Sequence, residues 1–354
     1  MAYQNVSKPR FYVSILQWLD AIGSLSSTSK DDGTYAGGLL SKAPNELVHL
    51  NPSKQARVVT SLDTYWLQFQ STVGNYDTLM PNDNNFFMVL GHNFGWNSTK
   101  FQMRKAAEDG SPVASTSVVN YNSDGSEYDG FSIAEGDNAY DLNHDTIEMS
   151  LWDVQQAEGE DIKFGSVLYG TYYDMPYSPD LSLNLNREYK GTSTITTYNG
   201  SSFSNTIWTK PPKWGALPAW ELSYHAELDK YILKPSKSGR RVWDLKFSFV
   251  SDNDIFSSNE SIGKEGTLIT TDLGYEEDDI GDVGFKYNLL TDDSFYSQVW
   301  HKTLNGTLPF VFQPDKDNSN PDQFAICRFV DNSFKVEQSA HNIYNVSLKI
   351  MEVW

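Results

Sequence analysis

The feature that most constrains this chain is strict alternation of apolar and polar residues in its C-terminal part. Trp243, Leu245, Phe247 and Phe249 alternate with Asp244, Lys246 and Ser248. Tyr344, Val346, Leu348 and Ile350 repeat the pattern near the end of the chain. A period of two places every second side chain on one face of a strand, so each segment predicts a strand with one face on a core. Ile147, Met149 and Leu151 alternate with Glu148 and Ser150 in the same way, and Leu181, Leu183 and Leu185 alternate with Ser182, Asn184 and Asn186. Phe86-Phe87-Met88-Val89-Leu90 is apolar throughout, the pattern of a short buried strand, and is closed by Gly91-His92-Asn93. Asn199-Gly200 between β-branched and polar runs predicts a type I′ hairpin.

Helical signals are few. Phe11 to Gly23 reads as a strand running into a helical turn, with Ile15, Leu19 and Ile22 on one face and Gly23 as its stop. Residues 293–304 predict one short helix. Asp293 or Ser294 caps it, Phe295 and Val299 stack one turn apart, and Asn305-Gly306 ends it. The expected fold is mainly β, with two antiparallel β-sandwich (jelly-roll-like) modules and one short flanking helix in the C-terminal module. Pro-rich punctuation at Met175 to Asp180 and Lys210 to Gly215 suggests the divisions. They are an N-terminal arm or linker over 1–55, a central sandwich and binding module over 56–215, and a C-terminal sandwich over 216–354.

Charge narrows the function. A formal net charge of −19 favours solubility and repels phosphate backbones, so no nucleic-acid partner is expected. The basic run Lys237 to Arg241 reads as a solvated turn before a strand. No stretch reaches the roughly 18 apolar residues of a membrane span, and the first residues do not read as a signal peptide. Synthesis in a cytoplasm without membrane insertion is the expectation. The single cysteine, Cys327, lies in an apolar run and reads as a buried structural thiol.

Catalytic patterns are missing. There is no Gly-x-Ser-x-Gly elbow, no His-Glu-x-x-His helix and no phosphate-cradling Gly-rich loop. The six histidines are scattered. Carboxylates number 46, too many for sequence to single out the pair a glycosidase needs. No enzyme, catalytic residue or cofactor is therefore expected.

Three groups of residues stand as binding candidates. The loop with Asp315, Asp317, Asn320 and Asp322 opens as an EF-hand does and could hold calcium, but lacks the central Gly and terminal Glu. A plain polar turn is the simpler reading. Asp141 to Asp145 is a second acidic run with oxygen ligands that suit calcium, whereas Glu276 to Asp279 reads as a solvated acidic loop. His92 and Asn93 either bond the backbone of their own turn or touch a ligand. Trp66, Trp96, Trp208, Trp214 and Trp220 lie near turn signals, where an exposed indole would stack on a sugar or anchor a protein interface. Core packing is the alternative for each.

Phe87 to Asn93, followed by Phe164 to Gly170 and the exit Met175-Pro176-Tyr177-Ser178-Pro179, resembles a β-sandwich module of tailed-phage virion proteins. Arg241 to Phe249, the helix near 293–304, Leu308 to Phe312 and the ending Ile350 to Trp354 are similar in pattern to distal-tail and tail-tube-like proteins. The resemblance spans about residues 60–350 and is one of pattern rather than of a diagnostic motif. It implies a structural component of a phage tail or baseplate, located in the virion, that pairs with itself and with neighbouring virion proteins in a ring or sleeve. It transfers no catalytic residues. A carbohydrate-binding adhesin touching host glycan, a capsid decoration protein and a glycan hydrolase stand as the other readings.

Overall fold

The computed structural model describes residues 6–31, 34–35, 42–58, 64–81, 84–94, 100–105, 130–136, 145–152, 162–180, 184–188, 192–206, 220, 222–225, 230–233, 240–256, 289–320, 323–331 and 333–353. The protein is mainly β, and every strand pair described is antiparallel. One sheet dominates. Its path is β12 (Asn184–Glu188), β17 (Arg240–Ser251), β21 (Ile343–Glu352), β19 (Ala325–Phe329), β18 (Phe310–Gln313), β1 (Arg10–Ser14), β11 (Ser166–Asp174), β6 (Asn85–Leu90) and β8 (Phe131–Gly136). β20 (Lys335–Ala340) adds to the free half of β21.

A second sheet runs β3 (Thr34–Tyr35), β2 (Leu25–Asp31), β5 (Thr64–Ser71), β9 (Thr146–Trp152) and β7 (Lys100–Lys105). Three two-stranded pieces complete the list: β4 (Ala56–Arg57) with β10 (Lys163–Phe164), β13 (Thr192–Thr196) with β14 (Ser202–Thr206), and β15 (Leu222–His225) with β16 (Lys230–Leu233).

The expected arm over 1–55 gives way here. β1 lies in the middle of the main sheet, paired with β11 on one side and β18 on the other. Its residues pack on both faces. Phe11 and Val13 enter one core, and Tyr12 enters the opposite one. A strand buried on both faces is apolar throughout rather than alternating, which is why Phe11-Tyr12-Val13 carries no period of two. Sequence position alone suggested an arm; burial decides against it.

The main sheet is covered unevenly. Over β6 and β11, the second sheet packs Tyr65, Leu67, Phe69, Ile147, Met149 and Leu151 against Phe87, Val89, Val167 and Tyr169. That half is a true sandwich. Over β17 to β21, the covering layer is the segment around Phe295, Val299 and Trp300, which meets Phe11, Phe310, Phe312 and Phe329. Among the described residues the C-terminal half has no second sheet over this core. The expected pair of separate sandwiches, 56–215 and 216–354, is instead one sheet through both halves, with a sheet over one part and a helical segment over the other.

Helix α1 (Ile15–Ala21) follows β1 without a break. Ser14 caps it, accepting from the Gln17 N–H at 3.5 Å, and Gly23 turns the chain away in the left-handed region at φ 74°. Ile15, Leu16, Trp18 and Leu19 are buried beneath the second sheet, whereas Ile22, expected on that face, is 40% exposed. The helix expected near 293–304 is present as a π-helical segment, Tyr296–His301. Ser294 accepts from the Ser297 N–H at 3.3 Å, and Leu304, Asn305 and Gly306 all take positive φ to end it. Asn305 N–H bonds to Trp300 C=O, the i to i−5 spacing of a π turn.

Close approach fixes one residue type. A Cβ on Gly170 of β11 would lie 2.0 Å from the Val13 carbonyl oxygen and 2.8 Å from the Ile15 nitrogen. Both obstacles are backbone, so the strands themselves would have to part. Gly170→Ala is expected to cost about 3 kcal/mol. Gly200→Ala should cost about 1 kcal/mol, because Gly200 has open space and only its φ of 82° to defend. Urea midpoints of the two variants check the order; an equal loss from both would contradict the close approach of β1 and β11.

Candidate interaction surface

The Gly91-His92-Asn93 turn is built into the body. Gly91 takes φ 68°, and a Cβ there would lie 2.5 Å from the Pro52 carbonyl oxygen. Asn93 works as a strand extension: its N–H donates to Lys163 C=O at 3.2 Å, and its Oδ1 accepts from Lys163 N–H at 2.8 Å. His92 is fully buried and stacks on Phe94 with centroids 4.3 Å apart. Its Nδ1 accepts from the Phe94 N–H at 3.3 Å, so the proton of the neutral ring sits on Nε2. Burial lowers the pKa of His92 to about 3, with the Phe131 backbone pulling the other way. Both residues are spent on the turn, and neither faces solvent.

The acidic loop after β18 turns its side chains inward on its own backbone. Asp315 Oδ1 accepts from the Asp317 N–H at 3.2 Å, and Asn318 Oδ1 accepts from Asn320 N–H at 3.2 Å and Asn320 Nδ2 at 2.7 Å. Gln313 holds the loop from below, donating to the carbonyls of Lys316 and Asn318 at 3.4 and 2.9 Å. This is the geometry of Asx turns. Asp322 lies outside the described residues. Among the described residues, no three His, Cys, Asp or Glu side chains group to hold a metal.

The tryptophan expectations divide. Trp220 is buried and stacks on Phe131 at 5.5 Å, a core role rather than a contact surface. Trp66 is half-buried on β5. Trp96, Trp208 and Trp214 lie outside the described residues, as do residues 141–144 and 276–279. Cys327 is fully buried, and burial pushes its thiol pKa up, as suits an inert structural thiol. Of the basic run, Arg241 is committed: its guanidinium bonds both Glu352 oxygens at 3.1 Å and the Phe324 carbonyl at 3.0 Å.

Two polar clusters escaped the sequence because their members are far apart in the chain. In the first, Arg10 grips Asp174 through Nε at 2.5 Å and Nη2 at 2.9 Å, reaches Glu135 at 2.6 Å, and lies over the Tyr172 ring at 4.0 Å. The Tyr12 hydroxyl meets Glu135 and the Gln313 Oε1. Burial, then Glu135, pushes the Tyr12 pKa up, so the phenol keeps its proton. Two carboxylates converge here, but the Arg10 guanidinium pairs with both and Lys316 Nζ, 3.5 Å from Asp174, adds a second positive charge, and the cluster ties β1, β8, β11 and β18 together.

In the second cluster, Gln298 on the π turn accepts from Thr171 at 2.9 Å and from Lys302 Nζ at 2.6 Å. Its amide donates to the Leu290 and Asp292 carbonyls at 3.2 and 2.5 Å. Lys302 is 1% exposed; burial lowers its pKa to about 7, with Asp293 opposing. A neutral amine is a nucleophile where a substrate can reach it. Here the amine is buried and braces Gln298, and it is Gln298 that links the π turn to Thr171 of β11.

Beside the charged groups of the surface, several large apolar side chains face outward. In the β13–β14 hairpin, Ile195 and Phe203 are cross-strand partners, 68% and 66% exposed, and Tyr198 at the tip is fully exposed. The turn is not the expected type I′, which needs two residues of positive φ. Gly200 N–H bonds Thr197 C=O at 2.9 Å, Gly200 alone turns left-handed, and Thr197 N–H bonds Ser201 C=O at 2.8 Å. That is the three-residue loop with a glycine bulge. Another outward aromatic, away from the hairpin, is Phe249. The alternation of β17 assigns it to the core, but a bulge between Phe247 and Val250 sets it at φ 61° and leaves it 73% exposed. Bulges re-aim side chains in this way.

No protein-family model, no curated protein and no solved structure matches this chain. The functional reading therefore rests on the chain's own geometry.

The two buried bases set a pH dependence. Unfolded, His92 takes up a proton near pH 6.5, whereas the folded ring refuses it until about pH 3. Its contribution to stability is whole above pH 6.5 and is lost as pH falls toward 3. Folded Lys302 sheds its proton near pH 7 rather than 10.5, so stability rises as pH climbs between those values. Urea melts across pH should show His92→Gln flattening the acid limb and Lys302→Met the alkaline limb, each by about 1.4 kcal/mol per pH unit. Slopes unchanged by the substitutions would sink the assignment.

Proposed function

We propose that this chain is a structural component of a phage virion, in the tail or baseplate, that assembles with itself and with neighbouring virion proteins and turns over no substrate. The observation that carries the reading is the outward placement of apolar groups on an otherwise acidic chain. Ile195, Tyr198, Phe203 and Phe249 are exposed while the polar and charged clusters are turned inward. An interface core is depleted of charge and enriched in aromatics. A left-handed backbone at a bulky residue costs roughly 1–2 kcal/mol, and exposing Phe249 recovers none of it within the chain; a partner that covers the ring would.

The readings that need a reactive site draw less support. Carboxylates Glu135 and Asp174 are held by Arg10, and Trp18, Trp220, Trp243 and Trp300 are buried, so none of these four offers an indole face to a sugar.

Immunogold electron microscopy with antibody against the recombinant chain, on particles whose mass spectrum contains its peptides, tests the proposal. Label at the tail or tail tip is the expected result. Label on the head would replace the tail assignment with a capsid-decoration role. Absence of both peptides and label from purified particles would overturn the virion reading.

A further inference from the structure

The β13–β14 hairpin has features that its own fold does not use. It forms a sheet by itself, and among the described residues no other strand pairs with either of its edges. From Gly191 to Thr209 no residue carries a charge, in a chain whose charged residues make up 21%. Its residues Ser193 to Asn205 are exposed apart from half-buried Thr197. Folded proteins blunt open edges with lysines, prolines or covering segments; this one carries none of those side chains. Isolated two-stranded hairpins are marginal in water, so an added strand would stabilise it.

We propose that this hairpin is a self-association arm, which pairs edge to edge with the same hairpin of a second copy of the chain. The inference rests on the reading of the chain as an assembling component and names the partner of that surface. Charge selects the occupant. Two copies of a chain of net charge −19 repel each other over most of their surfaces, and the contact that costs least is between their uncharged segments. A basic partner would instead be drawn to the acidic surface, and a neutral hairpin would give it nothing to grip. Edge-to-edge pairing about a two-fold axis also satisfies both copies at once, since each edge that lacks a partner brings an identical one.

Register identifies the groups that would pair. Thr197 N–H bonds Ser201 C=O. Alternation along an antiparallel ladder then directs the N–H groups of Thr194 and Ser204 outward, away from the hairpin's own bonds. In the pair, Ile195 and Phe203 of each copy would form one apolar strip across four strands.

The test uses the full chain in sedimentation velocity over a range of concentrations. The wild type is expected to form dimers. Thr194→Pro and Ser204→Pro each remove one outward N–H and leave the internal ladder intact; the variant that blocks the pairing edge should weaken association at least tenfold, with an unchanged far-ultraviolet spectrum. Hydrogen exchange of wild-type peptides spanning 192–206 serves as the second readout and should slow as concentration rises. A chain that stays monomeric, or dimers indifferent to both substitutions with hairpin exchange independent of concentration, would overturn the proposal. Self-association by the hairpin in a chain absent from particles would remove the virion reading alone; a chain found in particles whose hairpin exchange never slows would remove this inference alone.

Discussion

The structure depends on one pairing, that of the strand near the N-terminus with two partners far along the chain. Arg10 stands opposite both Asp174 and Gln313, and Phe11 opposite both Tyr173 and Phe312. Remove β1 and the main sheet separates into β6, β8 and β11 on one side and β12 and β17 to β21 on the other. Everything near the seam reinforces it. Phe11 meets the rings of Phe295, Phe310, Phe312 and Phe329 at 5.2–6.3 Å. Gly170 lets the backbones close up. Arg10 holds Asp174 and Glu135 on one side, and Lys316, just past β18, reaches Asp174 from the other. Closing so long a loop is costly in entropy, and the buried apolar area at the seam, at about 25 cal/mol per Å², is what offsets it.

The strands with one wet face were legible. Trp243, Leu245 and Phe247 are buried while Asp244 and Lys246 are exposed, as the alternation requires. The short helix near 293–304 was legible too, through its cap and its glycine stop, although pattern could not tell a π turn from an α turn. Other parts were hidden for physical reasons. Glu148 and Ser150 read as the wet face of β9 and are fully buried, because alternation reports the polarity of a face and not what lies over it. Phe249 reads as core, and one bulge reverses it. β1 has no period at all, since both of its faces are buried.

The candidate sites follow the same logic. His92 and Asn93 drew attention as polar residues after a buried strand, and that position explains them: a buried strand end must satisfy its backbone, and these side chains share in doing so. The acidic loop looked like a cation site because Asp and Asn both bind cations and cap turns; its hydrogen bonds are those of the cap. The Arg10 and Gln298 clusters join residues more than a hundred positions apart, and no local spacing announces them. The hairpin at 192–206 was visible as a turn, but its lack of charge gains meaning only with its open edges.

The molecule is thus a sheet joined at β1 that carries an uncharged hairpin outside both main sheets. Hydrogen exchange followed by mass spectrometry on dilute, monomeric protein tests that division directly. Peptides covering 10–14, 166–174 and 310–313 should exchange together and slowest, by global unfolding, while 192–206 exchanges fastest among the strands. Rapid exchange over 10–14 beside a protected remainder would restore the N-terminal arm and contradict the account.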